Sequence, residues 1–323
     1  MNGCQIITTK RGNSSNSLDF KEVYSLYRFT EIFFVIDEFS LVFDTTIKEK
    51  SVSDGKAHRN KPYKMSESEV ATILVLFHLG GYRCLKHFYL QYVCKHMKND
   101  FPKTLSYNRF VELQANISLM LVCFLKMCRL GECTGVSFVD STKLCVCDNK
   151  RIPRHKVFAG IAQRGKSSMG WFYGFKLHLV CNDKGELLNF VITPGNVDDR
   201  EPLTSSNLVK ELMGKLFADK GYISENLFNR LFFDGIHLIT TVRKNMKERY
   251  MTQNDRIILR KRAIIETIND ELKNICQIEH TRHRSFANFI SNLIGGLTAY
   301  TFLPKKPSIN IEFEPVAQLY IPF

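Results

Sequence analysis

The chain has 323 residues, 44% of them hydrophobic, with a formal net charge of +13 and a pI near 9.2. This length and apolar content suit one large or two ordinary globular domains and exclude a disordered or fibrous chain. No uninterrupted apolar run is long enough to span a bilayer, and the first residues lack the apolar core and cleavage site of a secretory signal.

The charge is concentrated. Residues 143–176 carry eight Lys/Arg against one acid, Asp148, and residues 243–262 carry eight against Glu248 and Asp255. These segments, at +7 and +6, hold the whole excess of +13. Clustered charge of one sign points to a polyanion partner, most often nucleic acid, although a soluble basic surface has the same composition. The ten cysteines include no Cys-x-x-Cys pair. They read as reduced, mostly buried thiols of a cytosolic protein.

Residues 1–17 read as a loosely held tail, and 18–130 as a helical region. Apolar residues three and four apart predict a helix over 18–43, and a lysine-rich linker follows at 44–64. Ser66 and Glu69 form a capping box opening a helix that stops at Gly80-Gly81. A second helix is predicted over Tyr82–Met97 and a third from Ser106 to Met127. The pair at 66–97 fits either a DNA-reading helix-turn-helix or a dimerising bundle.

From Gly131 the pattern changes, and 131–305 reads as a mixed α/β domain with a tail over 306–323. Strands are predicted at Val136–Asp140, Trp171–Val180, Leu187–Thr193, Lys215–Asp219 and Ile236–Val242. Helices are predicted at about Asp199–Gly214, Ser224–Phe233, Asn254–Ile275 and 281–303. Strands followed by alternating strands and helices give a mixed sheet with helices packed on it.

Two apolar strands deliver a carboxylate at their ends, Asp140 and Asp219, where burial without a partner would be costly. On the helix RKRAIIETINDELKN the isoleucines share one side, while Arg262, Glu266, Asp270 and Lys273 share the other. If that helix packs beside the strands, Glu266 can join the two aspartates. Three such carboxylates suit two magnesium ions, which prefer oxygen ligands and act in pairs on phosphodiesters. Singly, each residue reads more simply as a turn, cap or surface charge. Asp198-Asp199 reads as an N-cap. His280 and His283 lack cysteines at zinc-finger spacing.

The stretches VDSTKL, YGFKLHLV, TPGNVDD, FADKGY and RAIIETINDELKN occur in that order. Through them the chain resembles the DDE transposases of bacterial insertion sequences, over about residues 131–303. The last stretch fits an Arg-x3-Glu-x6-Lys motif at Arg262, Glu266 and Lys273; Leu259 stands where the fuller motif has Tyr. The resemblance implies an RNase H-like catalytic core that cuts and joins DNA. It implies Asp140, Asp219 and Glu266 as catalytic metal ligands for two Mg2+, with Mn2+ as substitute. Double-stranded DNA, both transposon ends and target, would be the partner of a homodimer in the bacterial cytoplasm, with no membrane involved. Lys176 and His178 on one strand side, and Arg262 and Lys273, are candidates for phosphate contacts. Lys143, Arg154, Lys220, Arg243 and Lys244 are further DNA-contact candidates. The alternative is a catalytically inactive, transposase-derived DNA-binding regulator.

Overall fold

The computed structural model describes residues 26–50, 64–167, 170–241, 251–279 and 283–309. The expected tail at 1–17, most of the linker, His280, Arg243 and Lys244 lie outside these residues.

The first helix, α1 (Leu26–Lys50), takes in the start of the expected linker. The second, α2 (Glu67–Leu79), opens on the expected capping box: Glu69 N–H donates to Ser66 Oγ, and the Glu69 carboxylate accepts from Ser66 N–H at 2.7 Å. Ser68 and every residue from Val70 to Leu79 are buried, so α2 is the central helix of the bundle. A third helix, α3, runs in contiguous pieces, Leu85–His87, Phe88–Val93 and Cys94–His96, the middle one π-helical. The expected helix to Met127 breaks at Ile117 into α4 (Tyr107–Asn116) and α5 (Ser118–Phe124), which continues as a π-helical turn over Leu125–Arg129. No described single helix is long and apolar enough to cross a membrane.

Among the described residues the sheet has six strands: β1 (Val136–Cys147), β2 (Gln163–Ser167), β3 (Gly170–Asn182), β4 (Leu187–Pro194), β5 (Gly214–Ala218) and β6 (Ile236–Thr240). β1 pairs antiparallel with β3 on one side and parallel with β5 on the other. β4 and β2 both add antiparallel to β3, and β6 adds parallel to β5. This is the expected mixed sheet flanked by helices and preceded by a helical region. The helix expected over 199–214 is shorter: α6 (Glu201–Ser205), then one 3-10 turn, Asn207–Val209. After it comes α7 (Glu225–Phe233), capped by Ser224 as its sequence suggests.

The expected long helix from Asn254 is two, α8 (Gln253–Arg260) and α9 (Ala263–Asn274). The break at Lys261-Arg262 has a packing reason. α8 lies on β5 and β6, whereas α9 lies on β1, and one straight rod would not serve both. The last helix, α10 (Phe286–Thr301), packs on α2. Gly295 makes that approach possible, because a Cβ there would stand 2.8 Å from Leu74 Cγ.

The sheet separates two cores. One face, with Phe138, Leu144, Leu177, Leu179 and Phe217, is continuous with α2, α9 and α10. The other, with Val139, Val180, Leu216 and Ala218, is covered by Leu203, Leu208, Leu227 and Leu231. The helical region and the sheet thus share one core. All nine described cysteines are free; only Cys147, Cys181 and Cys276 are buried, fewer than expected.

Candidate active site at the splay of β1 and β5

The parallel register Val136↔Lys215, Ser137↔Leu216, Phe138↔Phe217 fixes the centre of the site. Asp140 and Asp219 each lie two residues beyond its last pair. Side chains alternate along a strand, so Asp140 falls on the face that carries Phe138, whose ring stacks on that of Phe217 at 5.5 Å. That is the α9 face. Beyond this point the strands part. β5 ends at Ala218 and Asp219 caps the turn Lys220–Tyr222 without a side-chain capping bond. β1 does not end at Asp140 as expected; it continues to Cys147 against β3. The parallel pairing of β1 with β5 thus stops just before both carboxylates, and a point where a sheet changes direction is where α/β sheets open a crevice.

α9 supplies the third carboxylate. Ile264, Ile265, Ile268 and Leu272 are buried in the core, which leaves Glu266 on the exposed face as its periodicity predicts. Arg262 donates to Glu266 Oε1 at 2.6 Å. On the same helix Asn269 Nδ2 donates weakly to Asp140 Oδ2 at 3.4 Å.

Asp140 is held in an uncomfortable field. Burial raises its pKa to about 6; the Ser141 N–H and the Arg262 guanidinium favour the charged form, and Glu266 and Asp199 oppose it. Close by is the buried hydroxyl of Tyr222, which has the Ser141 side chain beside it. Its pKa is driven well above the phenolic range, first by burial and then by Asp140 and Asp199.

Asp199 belongs to this neighbourhood and was missed by reading it as a helix cap. It accepts from Ser141 Oγ at 2.8 Å and from Lys176 Nζ at 2.9 Å. Asp198, not Asp199, makes the turn: it accepts from Arg200 N–H and from its guanidinium at 2.8 Å, which pulls its pKa to about 2. The only signal for Asp199 was the Asp-Asp pair in TPGNVDD, which a cap explains equally well.

Two expected phosphate contacts are engaged within the protein. His178 is fully buried, with Nε2 2.9 Å from Thr193 Oγ1, and burial lowers its pKa to about 4. It is a neutral core histidine and cannot contact DNA. Lys176 is partly buried, and its ammonium is engaged by Asp199 and by the Val197 carbonyl at 2.8 Å. Lys273 lies 3.5 Å from Glu279, and Arg262 is tied to Glu266. Arg154 and Lys220 are exposed and Lys143 is half-buried, so these three remain open to a partner.

The donors around Asp140 are carboxylate oxygens, which suit a hard divalent cation. Among the described residues, however, no three His, Cys, Asp or Glu side chains converge closely enough to form a metal cage.

The fold and site define a mixed-sheet α/β protein with a carboxylate cluster at the splay of its parallel strands. Residues 130–286, the stretch containing this whole arrangement, match the family model of the transposase DDE domain. No curated protein matches the chain. Among solved structures, a piggyBac transposase synaptic complex with hairpin DNA is similar at 12% identity and a TM-score of 0.40, covering 87% of this chain and 73% of that one. At that level the likeness carries no argument about site or partner.

Proposed function

We infer that the protein is a DNA transposase of an insertion sequence, hydrolysing phosphodiesters at element ends and joining the freed 3′-hydroxyls to target DNA. The observation that supports this reading is the parallel pair Phe138↔Phe217, two residues before Asp140 and Asp219, with the helix bearing Glu266 packed on β1, inside the stretch matching the DDE domain. The strand order, four strands joined antiparallel through β3 and two more, β5 and β6, added parallel beside β1, supports an RNase H-like core.

Asp140, Asp219 and Glu266 would hold the divalent cations, two Mg2+ with Mn2+ able to replace them. Bound there, the metal activates the attacking oxygen and stabilises the leaving one. Asp140 is the residue most in need of a cation, since burial, Glu266 and Asp199 all oppose its charge. Arg262 neutralises Glu266 meanwhile and is placed to turn to a phosphate. Ser141 and Lys176 fix Asp199 at the edge of the site. Double-stranded DNA is the proposed partner, in a dimer that joins two ends, with the exposed basic residues of 143–176 as its footing.

The test is cleavage and strand transfer on DNA carrying the inverted repeats that flank the coding sequence, with and without Mg2+. Binding without cleavage in any divalent metal would favour the inactive regulator, a reading to which the Arg262–Glu266 ion pair lends some weight.

A further inference from the structure

Trp171 is the only tryptophan of the chain, and it opens β3 with 55% of its surface exposed. The aromatic residues that follow it, Phe172, Tyr173 and Phe175, are all buried. The ring is flanked by cations. The Arg164 guanidinium carbon lies 5.3 Å from its centroid and Lys166 Nζ lies 5.8 Å away. Both come from β2, where Lys166 pairs directly with Trp171. Asn149 Nδ2 donates to the Trp171 carbonyl at 2.8 Å. That bond fastens the turn Asn149–Arg154, with exposed Lys150, Arg151 and Arg154, to the same strand.

A basic surface alone binds the phosphates of any duplex and has no use for a tryptophan. An exposed ring held between cations adds a platform on which a base can stack, because every nucleobase presents a π-face and the cations meet the adjoining backbone. Paired bases are stacked on one another, so such a platform takes an unpaired one.

We propose that Trp171, with Arg164 and Lys166, is a stacking platform for an unpaired nucleobase of DNA, separate from the carboxylate centre. The proposal rests on the reading of DNA as partner. The separation follows from the strand: Trp171 stands five residues before Lys176, roughly 17 Å at the usual strand rise. A strand held at the centre therefore reaches the ring only after several nucleotides.

The single tryptophan makes its own fluorescence the readout. The full chain is titrated with a single-stranded oligodeoxythymidylate, an abasic strand of equal length and a fully paired duplex, while anisotropy of the labelled DNA follows affinity. Stacking should quench the emission by about half with the base-bearing strand and little with the abasic one. Trp171→Ala should weaken single-strand binding about 5- to 100-fold. Trp171→Phe should restore most of it, and duplex affinity should change less than about twofold. Equal quenching by the abasic strand, or unchanged single-strand affinity in Trp171→Ala, overturns the platform and leaves DNA binding intact. Failure of the wild type to bind any of the three at low salt overturns the DNA reading and the platform together. Circular dichroism of Trp171→Ala, with the Phe variant alongside, separates loss of stacking from loss of folding.

Discussion

The start and the middle of β3 carry the same kind of sequence and opposite environments. At its start, Trp171 faces water beside Arg164 and Lys166. Further along, Lys176 and His178 look equally available in the alternating run WFYGFKLHLV, yet both are consumed inside the protein by Asp199 and Thr193. The difference lies in what pairs beside them. At its start β3 is flanked by β2, a short polar edge strand, whereas Lys176 and His178 lie between β1 and β4. Charge on a strand becomes a binding surface only where no second layer claims it.

The largest expected effect separates chemistry from holding. Asp140→Ala, Asp219→Ala or Glu266→Ala should each lower cleavage by at least about 10^3-fold, since removing a ligand forfeits several kcal/mol of metal-based stabilisation. End-DNA affinity, measured by gel shift, should stay within about twofold. Wild-type cleavage by any one of them removes that residue from the site.

The reverse pattern belongs to the basic turn. Replacing Lys150, Arg151, Arg154 and Lys156 with Ala should weaken binding and flatten the dependence of log K on log salt by up to about 3 to 4, near 0.9 for each phosphate no longer neutralised. An unchanged slope would place the DNA elsewhere.

His178→Gln sharpens the contrast within β3. The variant should keep the affinity and salt slope of the wild type. Its signature is in stability. The folded pKa of about 4 lies below the ordinary histidine value of 6.5. This residue's contribution is therefore complete above pH 6.5 and lost as pH falls toward 4, on the order of 3 kcal/mol in all. Melting curves across that range should show a smaller pH dependence for the variant. An equal dependence would mean that His178 is not the buried base.

Asp140 should behave with the opposite sign. Its folded pKa of about 6 stands above the ordinary 3.8, so the stability it lends is present below pH 4 and lost as pH rises through 6. Asp140→Asn should melt a few degrees higher than wild type at pH 7.5, and this advantage should vanish near pH 4. Magnesium should raise the wild-type melting temperature more than that of Asp219→Ala, by ligand linkage. Equal shifts would mean that Asp219 does not bind the ion.

Much of the site was readable because its logic is periodic. A glutamate opposite an isoleucine face is a pattern of period 3.6, and α9 keeps Glu266 outside its buried Ile264, Ile265 and Ile268; of the two aspartates read as closing apolar strands, Asp219 follows the end of β5, whereas β1 runs past Asp140 to Cys147. What escaped has no period. β2, Gln-Arg-Gly-Lys-Ser, buries only Gly165 and so shows no alternation to find. The break at Lys261-Arg262 depends on which strands lie beneath α8 and α9, a tertiary fact. Asp199 acts through partners far along the chain, Ser141 and Lys176, while its neighbour Asp198 performs the local turn that both resemble.

The close seat of α10 on α2 also sets the order of events when the protein is made. α2 is synthesised early, and its buried face waits for a helix that begins at Phe286. At about 5–20 residues per second, the roughly 200 intervening residues keep that face uncovered for on the order of 10–40 s. The core cannot close until the whole six-stranded sheet has left the ribosome. A message broken within the last helix yields a chain with its sheet sequence complete and the α10-facing side of its central helix uncovered.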